Sequence, residues 1–291
     1  MLPHLVIAGL AHGSIYAVVA LGLVVVFKGS RAVNFAHGEV FALAAFVCYL
    51  LIVSGGFSYV VSLALAVGLT IVVGIVVERV AYRPLIRATD LALIIASIAV
   101  SFTIKGLVRV WFGARGEFVS FPPIFSFDPI VVAGLFIPPQ QLVVASAGAL
   151  CLVTFWVFFR FTRIGRMMQA VAEDRDAAAI VGIDASRVFL WIWALGALLG
   201  GIAGVLMAPV TLVYPDMGFA MLVKAFAAAM LGGFDSLLGA VIGGILVGVF
   251  EQLVGGYIGT LYQEISAFVL IVVVLLLRPS GLLGSRQLTR V

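Results

Sequence analysis

A chain of 291 residues that is 64% hydrophobic and only 10% charged has too few polar side chains to cover a water-soluble surface, so the composition specifies an integral membrane protein. Long apolar runs without strand-like alternation make it a helical bundle and exclude a β-barrel. A pI near 9.3 would suit a nucleic-acid partner, but the arginines stand in loops beside apolar runs, where they set topology.

Nine apolar segments are predicted in chain order. The first, residues 5–27, is as long as a full span and lacks the short apolar core and small-residue cleavage site of a signal peptide. Residues 35–54 form the second, closed by Gly55-Gly56; 57–77 and 91–112 form the third and fourth. A polar excursion follows, and its prolines (Pro122-Pro123, Pro129, Pro138-Pro139) make it irregular or a short hairpin. The fifth segment is 140–159, and the sixth is 188–207, with Pro209 and Pro215 breaking the chain beyond it. The seventh, 218–231, has about 14 residues at about 1.5 Å rise each, which is short for a span and leaves a re-entrant course open. The eighth is 237–254 and the ninth 265–277, ended by Pro279 and Gly281. Cys48 and Cys151 both lie in apolar runs, so no disulfide framework or metal site is implied.

Charge concentrates in one stretch, residues 160–187, which holds Arg160, Arg163, Arg166, Glu173, Asp174, Arg175, Asp176, Asp184 and Arg187. Residues 163–181 read as one or two helices with Gly182 as the stop. Ile164, Met167, Met168, Val171, Ile180 and Val181 keep rough helical spacing, so they should face the bundle while the charges face water. Such a platform suits docking to another protein better than catalysis. With the N-terminus outside, Lys28, Arg31, Arg79, Arg83, Arg87, the platform arginines, Arg278, Arg286 and Arg290 all fall on the inner side, and Arg115 on the outer. The positive-inside rule then places the platform and the C-terminus in the cytoplasm. A re-entrant seventh segment would flip one end.

Polar and ionisable groups in apolar runs are costly, which makes them candidates for function. Asn34, His37 and Glu39 stand at the start of the second segment, where Asn34 could cap the helix and Glu39 complement its dipole, or the group could belong to a gate or pathway. His37 and Glu39, about 200° apart on a regular helix, cannot share a face. Lys224 and Glu251 lie in consecutive segments, where a buried pair between them would relieve both charges. Lys105 and Arg109, four apart near the outer end of the fourth segment, either snorkel or attract anions. Tyr214-Pro215-Asp216 marks an outer helix break where backbone could meet a solute. Glycines recur every four residues (Gly9 and Gly13; Gly196, Gly200 and Gly204; Gly239 and Gly243; Gly244 and Gly248), as helix faces that touch or slide need. No P-loop, zincin motif, defensible catalytic triad or cysteine cluster is found, so an enzyme is a weak reading; a self-contained channel or secondary carrier would need ion-coupling acids deep in several spans, for which Glu39 and Glu251 are the main candidates.

Gly9-Leu10, Gly13 to Ala17, Leu21-Gly22 and the run Asn34 to Glu39 resemble the start of the LivH-type permeases of bacterial branched-chain amino-acid ABC importers. The likeness continues through Gly165-Arg166, Ala170 to Asp174, Ala179, Gly182-Ile183, Leu231 to Gly233, Ser236 to Gly239, Gly243-Gly244 and Arg278 to Gly284. The resemblance implies an all-α, type II ABC-importer-like bundle of about eight to ten transmembrane helices, forming one permease domain over residues 1–291 in the bacterial inner membrane. It implies a second, similar permease subunit, two cytoplasmic subunits that bind ATP and Mg, and a periplasmic solute-binding protein, with no cofactor on this chain. Residues 160–187 then become the coupling segment, with Arg163, Gly165, Arg166, Glu173, Asp174, Arg175 and Gly182 facing the ATPase; Asn34, His37, Glu39, Lys224 and Glu251 become candidates for the path or gate. The same permease group also serves urea, short amides and aromatic carboxylates.

Overall fold

The computed structural model describes residues 1–30, 33–85, 88–112, 118–122, 128–132, 135–278 and 280–284. Arg31, Arg87, Arg115, Arg286 and Arg290 of the charge pattern, and Pro123 and Pro279, lie outside the described residues. The chain runs α1 (Leu2–Ser30), α2 (His37–Val53), α3 (Tyr59–Val77), α4 (Asp90–Phe112), β1 (Ile130–Val132), β2 (Leu135–Ile137), α5 (Pro139–Phe161), α6 (Arg163–Glu173), α7 (Arg175–Ile180), α8 (Ala185–Met207), α9 (Met217–Gly232), α10 (Leu237–Tyr257) and α11 (Thr260–Leu277). A π-helical turn, Glu78–Tyr82, and a 3-10 turn, Arg83–Leu85, carry α3 beyond its expected end. Among the described residues, seven helices are long and apolar enough to cross a membrane, and α2 and α9 are shorter apolar helices, so each of the nine segments is helical. The polar excursion closes as the antiparallel pair β1–β2. A bridge from Val119 to Val213 ties it to the break between α8 and α9.

Helix α1 is the central column. Ile15 to Leu21 and Leu23 to Val26 are buried, and α1 packs on α5, α8, α9 and α10 while α2 and α3 pack on α8. The glycine spacing marks where backbones touch. A Cβ at Gly9 would lie 2.6 Å from Val249 Cα, and one at Gly13 would lie 2.9 Å from Ile245 Cα. Lipid supplies no hydrophobic drive between helices, so dispersion across such close approaches holds the bundle.

These contacts fix the direction of each helix. Gly9 meets Val249 and Gly13 meets Ile245, while at the far end of α1 Lys28 Nζ donates to the Asp235 carbonyl at 3.0 Å, just before α10. The first residues and the platform are therefore at opposite ends. α9 runs from Asp216 down to Gly232, which abuts Gly239 at the platform end; its 16 residues rise about 24 Å. It covers that distance as one continuous helix and does not turn back on itself. The tail lies at the platform end, where Leu282 N and Leu283 N donate to the Leu231 and Gly232 carbonyls at 2.8 and 2.9 Å.

The platform is two helices, each started by a side-chain cap: Thr162 accepts from Gly165 N, and Asp174 from Asp176 N and Ala177 N. Met168, Val171 and Ala178 are buried against the bundle. Ile180 and Val181, expected to pack there too, are instead 87% and 74% exposed. α7 is a six-residue helix with only Ala178 turned inward, and the Gly182 turn, at φ +83°, carries the chain away before the apolar face can reach the bundle.

Candidate functional site

The second apolar segment begins with a turn and not with a helix. Asn34, read from the sequence as a candidate cap, is not the cap; the cap position is Ala36. Asn34 Oδ1 accepts from Ala36 N at 3.0 Å, an Asx turn that holds the chain out of helix for two more residues, and also from Tyr82 Oη at 3.3 Å. With Asn34 3% exposed, truncation leaves two buried donors without an acceptor. We expect Asn34→Ala to destabilise the protein by about 1–3 kcal/mol and Tyr82→Phe by less, measured as the loss in thermal unfolding of the purified chain. Equal, negligible shifts would show that this turn does not hold α2.

His37 and Glu39 face opposite ways. His37 Nε2 lies 3.1 Å from the Val19 carbonyl of α1, its ring filling the space left by Gly22 and Gly200. Glu39, in the first turn of α2 where a carboxylate suits the helix dipole, accepts from Ser101 Oγ of α4 at 3.4 Å. α9 starts beside it: a Cβ on Gly218 would lie 2.6 Å from the Gly38 carbonyl oxygen and 2.9 Å from Glu39 Oε2. Two interrupted helices thus begin at one point, aiming the positive ends of their dipoles at Glu39 and Asp216.

Asp216, just ahead of α9, is bound by Lys105 and by Arg109 Nη2, at 3.0 Å to Oδ2. The Lys105 hydrogen bond, aided by Arg109, holds its carboxyl below the usual carboxylate range. Lys105 and Arg109 therefore grip the break between α8 and α9, a link that needs the contact of α4 with α9 and was not visible in sequence. Ser101 was missed as well.

A second cluster joins α1, α9 and α10. Lys224 Nζ lies 2.6 Å from Glu251 Oε1 and donates to Tyr16 Oη at 3.2 Å, and one turn earlier on α1 His12 Nδ1 is 3.2 Å from Gln252 Nε2. Among the described residues, no group of three or more His, Cys, Asp or Glu is placed to hold a metal ion.

On the platform, Arg163, Arg166, Glu173 and Asp174 are exposed. Gly165 is buried where a side chain would strike the Phe159 backbone, so α6 can sit against the end of α5. Gly182 makes the turn after α7. Arg175 turns inward: it donates to the Gly29 carbonyl at 2.6 Å and sits 4.7 Å from the Phe189 ring centroid. A cavity of about 650 Å³ opens between the platform and the α9–α10 loop, with Lys28, Gln169, Glu173, Asp235 and Ser236 among its lining.

The comparisons with known proteins agree with this architecture. Residues 5–277 match the family described as branched-chain amino acid transport system, permease component. The chain is 33% identical to the high-affinity branched-chain amino acid transport system permease protein LivH of Salmonella typhimurium, over 97% of this chain and 96% of that one. It is 32% identical, with the same coverage, to the corresponding protein BraD of Pseudomonas aeruginosa. Its fold is shared with a chain of PsaBC from Streptococcus pneumoniae, solved in complex with a Fab, at a TM-score of 0.53 and 14% identity, covering 94% of this chain and 91% of that one. The bundle is thus the type II ABC-importer-like one expected from the sequence, and the chain belongs to the family of branched-chain amino-acid transport system permease components.

Proposed function

We propose that this protein is the membrane-spanning permease subunit of an ATP-driven importer in the bacterial inner membrane, moving branched-chain amino acids or a similar small polar solute. It works beside a second, similar permease, with ATP and Mg held by two cytoplasmic subunits and solute delivered by a periplasmic binding protein. Its relatives LivH and BraD, branched-chain amino acid transport permeases, support the solute class. The observation that carries the mechanism is the platform. Its outer face presents Arg163, Arg166, Glu173, Asp174 and the exposed apolar tip Ile180-Val181, while α6 and α7 pack on α1, α5 and α8 and Arg175 ties them to the end of α1. A partner that moves the platform therefore moves the central column, biasing the bundle between two packings. The chain itself does no covalent chemistry.

Purification of the tagged chain from its native membrane in mild detergent tests this. Two ATP-binding subunits and a second permease should come with it in near-equal amounts; recovery of the chain alone or as a homo-oligomer overturns the reading. We also expect Glu173→Gln with Asp174→Asn to lower uptake about tenfold or more with folding unchanged. Asparagine keeps the α7 cap, whereas alanine at 174 would remove it at a cost of about 1 kcal/mol. Wild-type uptake and ATP turnover in that double variant would exclude these two carboxylates from coupling.

A further inference from the structure

Helix α4 carries a polar stripe that the reading above leaves unused. Ser97, Ser101, Lys105 and Arg109 recur every four residues, one above another on a single face, while Phe102, Leu107 and Val110 on the rest of the helix are exposed. Each stripe residue reaches the chain opposite. Ser97 Oγ accepts from Phe35 N at 3.3 Å, Ser101 holds Glu39, and Lys105 and Arg109 share Asp216. The charges are unevenly distributed along it. At the Asp216 end two cations share one half-exposed carboxylate, leaving a positive charge in excess. One turn deeper Glu39 is 4% exposed, and among the described residues no cation lies within ion-pair distance of it.

We infer that this face is a receptor for the two charges of an amino-acid zwitterion: the solute carboxylate takes Lys105 and Arg109 in place of Asp216, and its ammonium takes Glu39. The inference rests on the importer reading and names the groups that would select its solute. Ser101, which marks the level of Glu39, and Lys105 are separated by about 6 Å along α4, enough for one ammonium and one carboxylate each held by a contact of about 3 Å. Exchange of one carboxylate for another leaves the ion pairing of Lys105 and Arg109 intact. Buried Glu39 meanwhile gains the counter-charge it lacks. A neutral amide offers no carboxylate to displace Asp216, and a dicarboxylate brings a second negative charge towards Glu39. The exchange also frees Asp216, and with it the start of α9, from α4, so solute entry would release one of the two interrupted helices.

The test uses the intact complex, purified with its own ATP-binding subunits and binding protein and sealed into vesicles, with labelled leucine as probe and uptake normalised to assembled complex. Lys105→Gln with Arg109→Gln should lower uptake about tenfold or more, the scale of a lost charge-assisted hydrogen bond. Asp216→Asn, which removes the competing carboxylate, should act in the opposite direction and raise it. A merely structural ion pair predicts that both variants lose uptake alike; equal losses overturn the inference. If the double variant does not assemble, Arg109→Gln alone, at a half-exposed position, carries the test with an expected several-fold loss, and wild-type uptake in it overturns the inference. Should the wild-type complex accumulate no leucine, isoleucine or valine, the proposed solute class itself fails, whereas wild-type uptake that ignores Lys105 and Arg109 removes this site alone.

Discussion

Replacing Lys224 with methionine is expected to destabilise the protein by about 3–5 kcal/mol, because it leaves Glu251 charged and without its partner inside the bundle. The side chains are 18% and 3% exposed, with 2.6 Å between Lys224 Nζ and Glu251 Oε1. In such a site the attraction between the charges offsets the loss of water only while both are present. Glu251→Leu alone should cost a similar amount, since the Lys224 ammonium would retain only the Tyr16 hydroxyl. The double variant should recover most of the loss, because an apolar pair of similar volume removes both desolvation penalties at once. The thermodynamic cycle, read from unfolding of the four purified proteins, then isolates the pair. Single variants within about 0.5 kcal/mol of wild type would mean that the pair holds nothing together. Uptake adds a second reading. A pair that serves only packing predicts transport restored along with stability in the double variant; a pair on the path predicts a stable, inactive protein.

This pair was legible in the sequence because the constraint is strict: two opposite charges in consecutive apolar segments of a hairpin have few other places to find a partner. The opposite facing of His37 and Glu39 was legible for a similarly local reason, since two positions on a helix are fixed about 200° apart. What needed the fold was every link between distant segments. Asp216 binds α4 only because α9 starts where α2 starts, which no spacing encodes. Ser97 and Ser101 gave no signal, since a serine in a membrane helix satisfies itself on a preceding carbonyl, as Ser97 does with Ile94 at 2.7 Å. The platform misled in one respect. Ile180 and Val181 keep the apolar spacing of α6, but that spacing assumes an unbroken helix, and Asp174 restarts it on a new axis.

The starting point shared by α2 and α9 makes Gly38 and Gly218 positions where even the smallest addition should matter. A methyl group at either would strike the backbone of the other helix, with the Gly38 carbonyl oxygen 2.6 Å from a Cβ at 218. Backbone cannot rotate out of the way as a side chain does, so the two helix starts must separate. We expect Gly38→Ala and Gly218→Ala each to cost about 1–3 kcal/mol or more of stability, and to lower uptake at least about tenfold by moving Glu39 relative to Asp216. Gly68 and Gly106 are the controls. Both are helical, and a Cβ on either meets nothing within 4 Å, so alanine there should be neutral or stabilise by up to about 1 kcal/mol through helix propensity alone. The contrast separates position from composition, since all four changes add the same atoms to the same kind of residue. If alanine at 38 and 218 behaves as it does at 68 and 106, the two interrupted helices do not meet as described. If stability falls at 38 and 218 while uptake per folded molecule holds, the junction is a packing contact and the path runs elsewhere. Loss of uptake beyond the loss of fold places the path at the junction, where two helix dipoles, a buried carboxylate and the grip of α4 on Asp216 converge.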